Sequence, residues 1–210
     1  MAELERIANH LGDFGAICND ASFSLMHAHS SVLREQVLRA CLAVFGHRLM
    51  MDCIPPGGIA ADIADDGVAR IRAVAAEVRS RFPALVEIYD ATASLQDRTV
   101  STGHLKPELA RRFAAGGYVG RASGRSFDTR RYLPYAPYDT LSFEVPVLDR
   151  GDVDARVWIR IREIEQSLSL IDQLLTRLPS GSIRAEIPKA AGEGLGLAKA
   201  SAAMSLFRYG

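Results

Sequence analysis

The chain has 210 residues, enough for one sizeable core, since domains commonly run to roughly 100–200 residues. Its 25 basic and 25 acidic side chains cancel, which leaves no global field for nucleic acid or an anionic membrane, although the stretch from Arg111 to Arg131 is locally basic. Cys18, Cys41 and Cys53 are odd in number and form no C-x-x-C pair, so they supply neither a disulfide framework nor a zinc or cluster site, and this fits a reducing cytosol.

From Leu4 the apolar residues Leu4, Ile7, Leu11, Phe14 and Cys18 recur three or four apart, one stripe of a first helix. No apolar run approaches the ~20 residues that span a bilayer, and Met1 leads straight into this helix without a signal peptide's apolar core. The expectation is a soluble or membrane-peripheral chain. A second helix buries Leu33, Val37, Cys41, Leu42 and Phe45 and stops at Gly46. Ile54-Pro55-Pro56-Gly57-Gly58-Ile59 is a rigid loop, because consecutive prolines remove donors and the glycine pair frees the turn.

A third helix opens at Asp65-Asp66 and carries Val68, Ile71, Ala75, Val78, Phe82, Leu85 and Tyr89 on its buried side, with Pro83 kinking it. A polar stretch from Ser94 to Thr102 follows, then a brief helix started by Pro107. The run from Gly117 to Asp152 has too little apolar periodicity for helix and too many charges for plain strand. Within it, Leu141 to Val147 alternates apolar with polar residues and predicts a half-buried strand ended by Pro146. The clearest helix spans about Asp152 to Leu178. The sum is a mainly α fold, a helical bundle with a loop-rich insert and a small β element, in one domain over residues 1–210 with an irregular tail from residue 192.

His27 and His29 point to different faces of a helix and are poor joint metal ligands. The Gly192-x-Gly194-x-Gly196 run lacks a preceding strand and reads as a turn. Asp20 is either a water-facing helix end or a partly buried carboxylate with a raised pKa. Arg121, Arg130 and Arg131 with Asp128 and Asp152 form either a buried ion network or an anion site, with structure the first reading.

Several separated signals occur together: Ala2 to Leu11, Pro56-Gly57-Gly58, Arg121-Ala122-Ser123-Gly124, Asp128-x-Arg130, Pro134-Tyr135-x-x-Tyr138, Val145-Pro146, Gly151-Asp152, Arg156 and Gln166-Ser167. In this order the chain resembles, over about residues 2–188, the large subunit of membrane-bound nickel-iron hydrogenases of formate-hydrogenlyase type and its relative, the quinone-site large subunit of complex I. Cys18-Asn19-Asp20-Ala21 and Phe45 to Asp52 are closer to the hydrogenase branch.

The resemblance implies an oxidoreductase subunit docked on an iron–sulfur small subunit and membrane subunits, peripheral on the cytoplasmic face of the cell membrane. It marks Asp20 as the catalytic candidate, matching an acidic residue near the quinone headgroup in the complex I relatives. It places His10, Asp20, Arg121, Asp128 and Arg130 along the redox site and Asp152 with Arg156 in a structural ion network, though Ala155 stands where an acidic residue often precedes that arginine.

Relatives hold nickel with two C-x-x-C pairs, or use an upstream histidine and tyrosine for quinone. Neither set occurs in this sequence. The expectation is therefore a central part of the family subunit that binds no cofactor alone and is inactive alone, the nickel-iron centre or quinone belonging to the full-length protein. The alternatives are a complex I-type quinone subunit, or a metal-free scaffold or assembly module from a different functional class. Exposed helix faces allow a homo-oligomer.

Overall fold

A computed structural model describes residues 1–187, 194–199 and 204–209. Four long helices carry the molecule: α1 (Ala2–Asp20), α2 (Ser24–Phe45), α3 (Asp65–Ala91) and α8 (Val153–Thr176). A three-residue turn joins α1 to α2, with the Phe23 amide donating to the Cys18 carbonyl at 2.8 Å, so the two helices return side by side. α1 also packs on α8, and α3 closes the group against α2 and α8. The predicted stripes meet in one core, where Leu11, Phe14, Cys18, Val78, Tyr89, Val157 and Ile164 are fully buried.

α2 stops at Gly46, whose φ of 77° is the left-handed cap the sequence predicts. Leu42 departs from its predicted burial and is exposed, because it lies one residue beyond Cys41, off the α2 face that meets α1 and α3. α3 begins with two aspartates on its positive end and continues through Pro83, which removes one helical donor without ending the helix. Gly57 and Gly58 lie against residues 183–185, with the Ile59 amide donating to the Ile183 carbonyl and the Ala185 amide to Gly57. A Cβ on Gly58 would stand 2.1 Å from the Ile183 carbonyl oxygen, so only glycine allows this approach.

The connecting region is more helical than its sequence predicts. α4 (Ala93–Thr99) occupies the polar stretch, α5 (Pro107–Arg112) starts at Pro107 as expected, and two short helices, α6 (Gly117–Ala122) and α7 (Thr129–Tyr132), stand inside the supposed loop. They are too short to show periodicity, and tertiary contacts hold them: α6 lies on α8, with Ala122 against Ala155 and Ile159. The segment 141–147 forms no strand; it runs without turn or bend and has no backbone ladder partner. β1 (Gly194–Lys199) and β2 (Met204–Tyr209) pair antiparallel, Gly194 opposite Tyr209. Of the tail expected to be irregular from residue 192 to 210, residues 192–193, 200–203 and 210 lie outside the described residues.

Candidate functional site

Between α1, α6, α7 and α8 the protein buries a cluster of charged side chains. Glu3, Arg6 and His10 come from α1, Arg121 from α6, Asp128 and Arg130 from the start of α7, and Glu163 and Ser167 from α8; each is 4% exposed or less. On α1 and on α8 these residues recur three and four apart, a polar stripe lying beside the apolar one.

Asp128 caps α7, accepting the Arg130 amide at 3.0 Å, and forks onto the same arginine, whose Nε and Nη2 lie 3.1 and 2.9 Å from its two oxygens. Arg130 then reaches Glu3 at 3.0 Å and lies over the Phe143 ring. Glu3 also accepts from Tyr138 at 2.5 Å, Ser167 at 2.6 Å and Arg6 at 3.3 Å. Glu163 binds Arg121 directly, His10 Nε2 at 2.7 Å and Arg6 at 3.5 Å. Gly120 sets Arg121 in place, since a Cβ there would meet the Ala115 carbonyl oxygen at 2.1 Å.

Three carboxylates, Glu3, Asp128 and Glu163, thus face three guanidiniums, Arg6, Arg121 and Arg130. Burial by itself would raise the Glu3 carboxyl, but Arg6 and Arg130, with the Ser167 and Tyr138 hydroxyls, hold it down to about 2. Glu163 moves the same way against its burial, drawn down by His10 and Arg121. Burial lowers His10 more than its Glu163 contact raises it, and Arg6 and Arg160 add to the lowering. The imidazole is therefore neutral, its Nε2–H donating to Glu163, which leaves Nδ1 as a lone pair with no hydrogen-bond partner among the described residues. The His10 ring meets Tyr118 edge-on, Arg160 lies 3.6 Å over the Tyr118 ring, and Arg160 reaches Asp13, whose side chain is 43% exposed.

Of the residues singled out from sequence, His10, Arg121, Asp128 and Arg130 come together here. Asp20 does not: it ends α1 exposed, and its side chain has no hydrogen bond or ion pair among the described residues. Arg131 is exposed as well. Asp152 and Arg156 make no ion pair with each other; the Arg156 amide donates to the Asp152 carbonyl at 3.2 Å. Asp152 caps α8 at the Ala155 amide and accepts from Ser101, while Arg156 donates to the Gly103 and Gly151 carbonyls. Glu3, Arg6 and Glu163 carry the cluster without being site candidates in the sequence; the signal available was their helical spacing in phase with buried neighbours.

A family model described as respiratory-chain NADH dehydrogenase, 49 Kd subunit, matches residues 22–204. The chain belongs to this family. Among 49 Kd family relatives, the D subunit of NADH-quinone oxidoreductase from Desulfotalea psychrophila is 36% identical over 183 residues, which are 86% of this chain and 49% of that protein. Formate hydrogenlyase subunit 5 of Escherichia coli is 32% identical over 186 residues, 89% of this chain and 33% of that protein. A chain in the structure of the membrane-bound sulfane sulfur reductase, an archaeal respiratory membrane complex, aligns with a TM-score of 0.88 and 25% identity over 96% of this chain and 57% of its own. The chain spans half or less of the length of these two curated relatives.

The described residues of this 49 Kd family chain do not fit a nickel centre. Burial pushes the Cys18 thiol up to about 12 and Cys41 up to about 11, away from the thiolate form a metal needs, and no three metal-binding side chains gather among the described residues. In the ion cluster Arg121 is fully enclosed and His10 is 1% exposed. A separate cavity of about 380 Å³ opens between α2 and α3, lined by Phe23, Met26, His29, Leu33, Arg81 and Leu85. No described helix is long and apolar enough to cross a membrane.

Proposed function

We propose that this chain serves in the large subunit of a membrane-associated oxidoreductase complex, where its helices and buried ion cluster form the rigid wall beside the redox site. One observation carries this reading: three carboxylates and three guanidiniums enclosed between four helices, with a neutral His10 as the adjustable member. A dry, charge-balanced wall of this kind fixes the field around a neighbouring redox group, because screening by water is excluded. His10, Arg121, Asp128 and Arg130 order that wall, and the reacting ligands come from elsewhere in the complex. The partners are an iron–sulfur small subunit and membrane subunits at the cytoplasmic face.

The hydrogenase type is the first reading, supported by Cys18-Asn19-Asp20, by Phe45 to Asp52 and by the likeness to formate hydrogenlyase subunit 5. The cavity beside α2 favours a second reading, quinone reduction, since its apolar walls and the polar His29 and Arg81 suit a flat ring bearing two oxygens. The test is purification of the assembled complex followed by nickel analysis and assays of hydrogen turnover and quinone reduction. Nickel with hydrogen turnover supports the first reading; quinone reduction without nickel supports the second. A complex with neither activity, still holding its iron–sulfur partner, replaces both with a scaffold.

A further inference from the structure

The two ring nitrogens of His10 are in opposite states. Nε2 is held by Glu163 at 2.7 Å, while Nδ1 has no hydrogen-bond partner among the described residues, although the ring is 1% exposed. A buried acceptor left without a donor is costly, and on an imidazole that acceptor is the atom that takes a proton. Charged groups surround it from each packed element. α1 itself supplies Arg6 and, one turn on, Asp13; α6 supplies Tyr118 and Arg121; α8 supplies Glu163 and Arg160. Asp128 and Arg130 of α7 follow behind Arg121 and Glu3. α2 brings Arg34 against Gly12, on the other side of α1, and Tyr89 of α3 packs on Phe14 with its hydroxyl given to Asp154.

His10 and Asp13 stand three residues apart on α1 and share a face, which sets their Cβ atoms about 5–6 Å apart. The Asp13 side chain is 43% exposed, so this face of α1 runs from the enclosed cluster to solvent. Arg160, only 6% exposed, binds Asp13 at 3.1 Å and lies 3.6 Å over the Tyr118 ring, the same ring that meets His10 edge-on. Its Nη1 also donates to the Arg156 carbonyl at 2.9 Å, which anchors the guanidinium on α8. A half-exposed carboxylate lies within one water's reach of a buried imidazole acceptor, and a guanidinium is tied to that carboxylate. These are the parts of a proton entry.

We propose that Asp13 passes protons from solvent to His10 Nδ1, and that Arg160, seated on Asp13 and Tyr118, gates the transfer. The step moves one proton and nothing else: an O–H bond of the Asp13 carboxyl breaks, an Nδ1–H bond forms by way of one water, and the Nε2–H stays on Glu163. The cluster, balanced while His10 is neutral, then carries one positive charge that Arg6, Arg121 and Arg160 oppose, so the proton is held reversibly. Arg160 acts twice, since its charge opposes the proton on His10 and its ion pair occupies the Asp13 carboxylate. The route gives the adjustable charge of the proposed wall a path to solvent. It is tested on the chain alone, without redox chemistry, so it and the redox reading can each fail separately.

The experiment is nuclear magnetic resonance on the intact 210-residue chain with isotope-labelled histidine rings, the His10 signals being assigned by their loss in His10→Gln. At neutral pH Nδ1 is expected to be the nitrogen without hydrogen. Below 6.5 it should gain a proton while the amides of α1 and α8 stay protected from exchange. Arg160→Gln should tighten proton binding about threefold to tenfold, and Asp13→Asn, which leaves Arg160 unopposed, should weaken it by a similar factor. Asp13→Asn should also slow proton uptake, read from line shapes, about tenfold or more, with Asp13→Glu restoring the rate. The Asp13 variants change only a half-exposed side chain, so the test stands even where Arg160→Gln unfolds. A His10 that gains its proton only as the α1 and α8 amides lose protection overturns the proposal. So do shifts of equal sign in Arg160→Gln and Asp13→Asn, or an uptake rate that Asp13→Asn leaves unchanged.

Discussion

At Glu163 a single carboxylate answers Arg6, His10 and Arg121, all enclosed with it. Glu163→Gln keeps the volume and removes the charge, leaving Arg121 with only Asp128, 3.7 Å away, as a counter-ion. Removing one partner of a buried ion pair costs about 3–5 kcal/mol, and urea unfolding of the variant should show a loss of that size. Acid acts on the same groups. The Glu3 carboxyl, ordinarily at 4.5, lies at about 2 in the fold, so its contribution is complete above 4.5 and is lost as pH falls toward 2. That gap corresponds to about 3 kcal/mol. His10 adds with the same sign: its folded value lies below the ordinary 6.5, so the unfolded chain takes up the proton first. The urea midpoint should therefore hold near neutral pH, decline from about 6.5 and fall steeply below 4.5; a midpoint unchanged from pH 7 down to the Glu3 value would contradict this account of Glu3.

Among the elements, α8 depends on its first turn. Asp152 accepts the Ala155 amide at 2.7 Å and the Ser101 amide at 2.9 Å, tying the helix start to the chain after α4. Asp152→Ala should cost about 1–2 kcal/mol and Asp152→Asn much less, since asparagine caps as well; thermal melts of the two variants check the order. The long helices were legible because burial repeats along each one, as Leu4, Ile7, Leu11, Phe14 and Cys18 do on α1. α6 and α7 were not, because four to six residues cannot display a period and glycines at 116, 117 and 120 argue for a turn. The strand predicted at 141–147 had the right alternation, Leu141 and Phe143 inward against Ser142 and Glu144 outward. What alternation could not reveal is that the side chains of Gln166 and Gln173, rather than a second strand, bond its backbone at Ser142 and Glu144. The same limit hid half of the ion cluster: Arg121, Asp128 and Arg130 stand out in a charged insert, whereas Glu3, Arg6 and Glu163 lie on helices whose period marks only the apolar face, and they join the cluster where α1 meets α8.

Taken as one molecule, the protein has a seam between α1 and α8 built from two kinds of contact. The apolar half, with Leu4, Ile7 and Leu11 facing Val157, Ile161 and Ile164, repeats every three or four residues and would accept a slide of one helical turn, about 5.4 Å. The polar half would not, for the same slide parts Glu163 from His10 and Glu3 from Ser167 and strands charges away from water. Replacing His10, Arg121 and Glu163 together by leucine, methionine and leucine should keep the helix content by circular dichroism while broadening the methyl resonances of Ile161 and Ile164. Sharp, single resonances would show that the seam has one packing without its charges. The ion cluster thus acts as an alignment key: greasy contacts allow several ways for the helices to lie together, and the charges leave one of them.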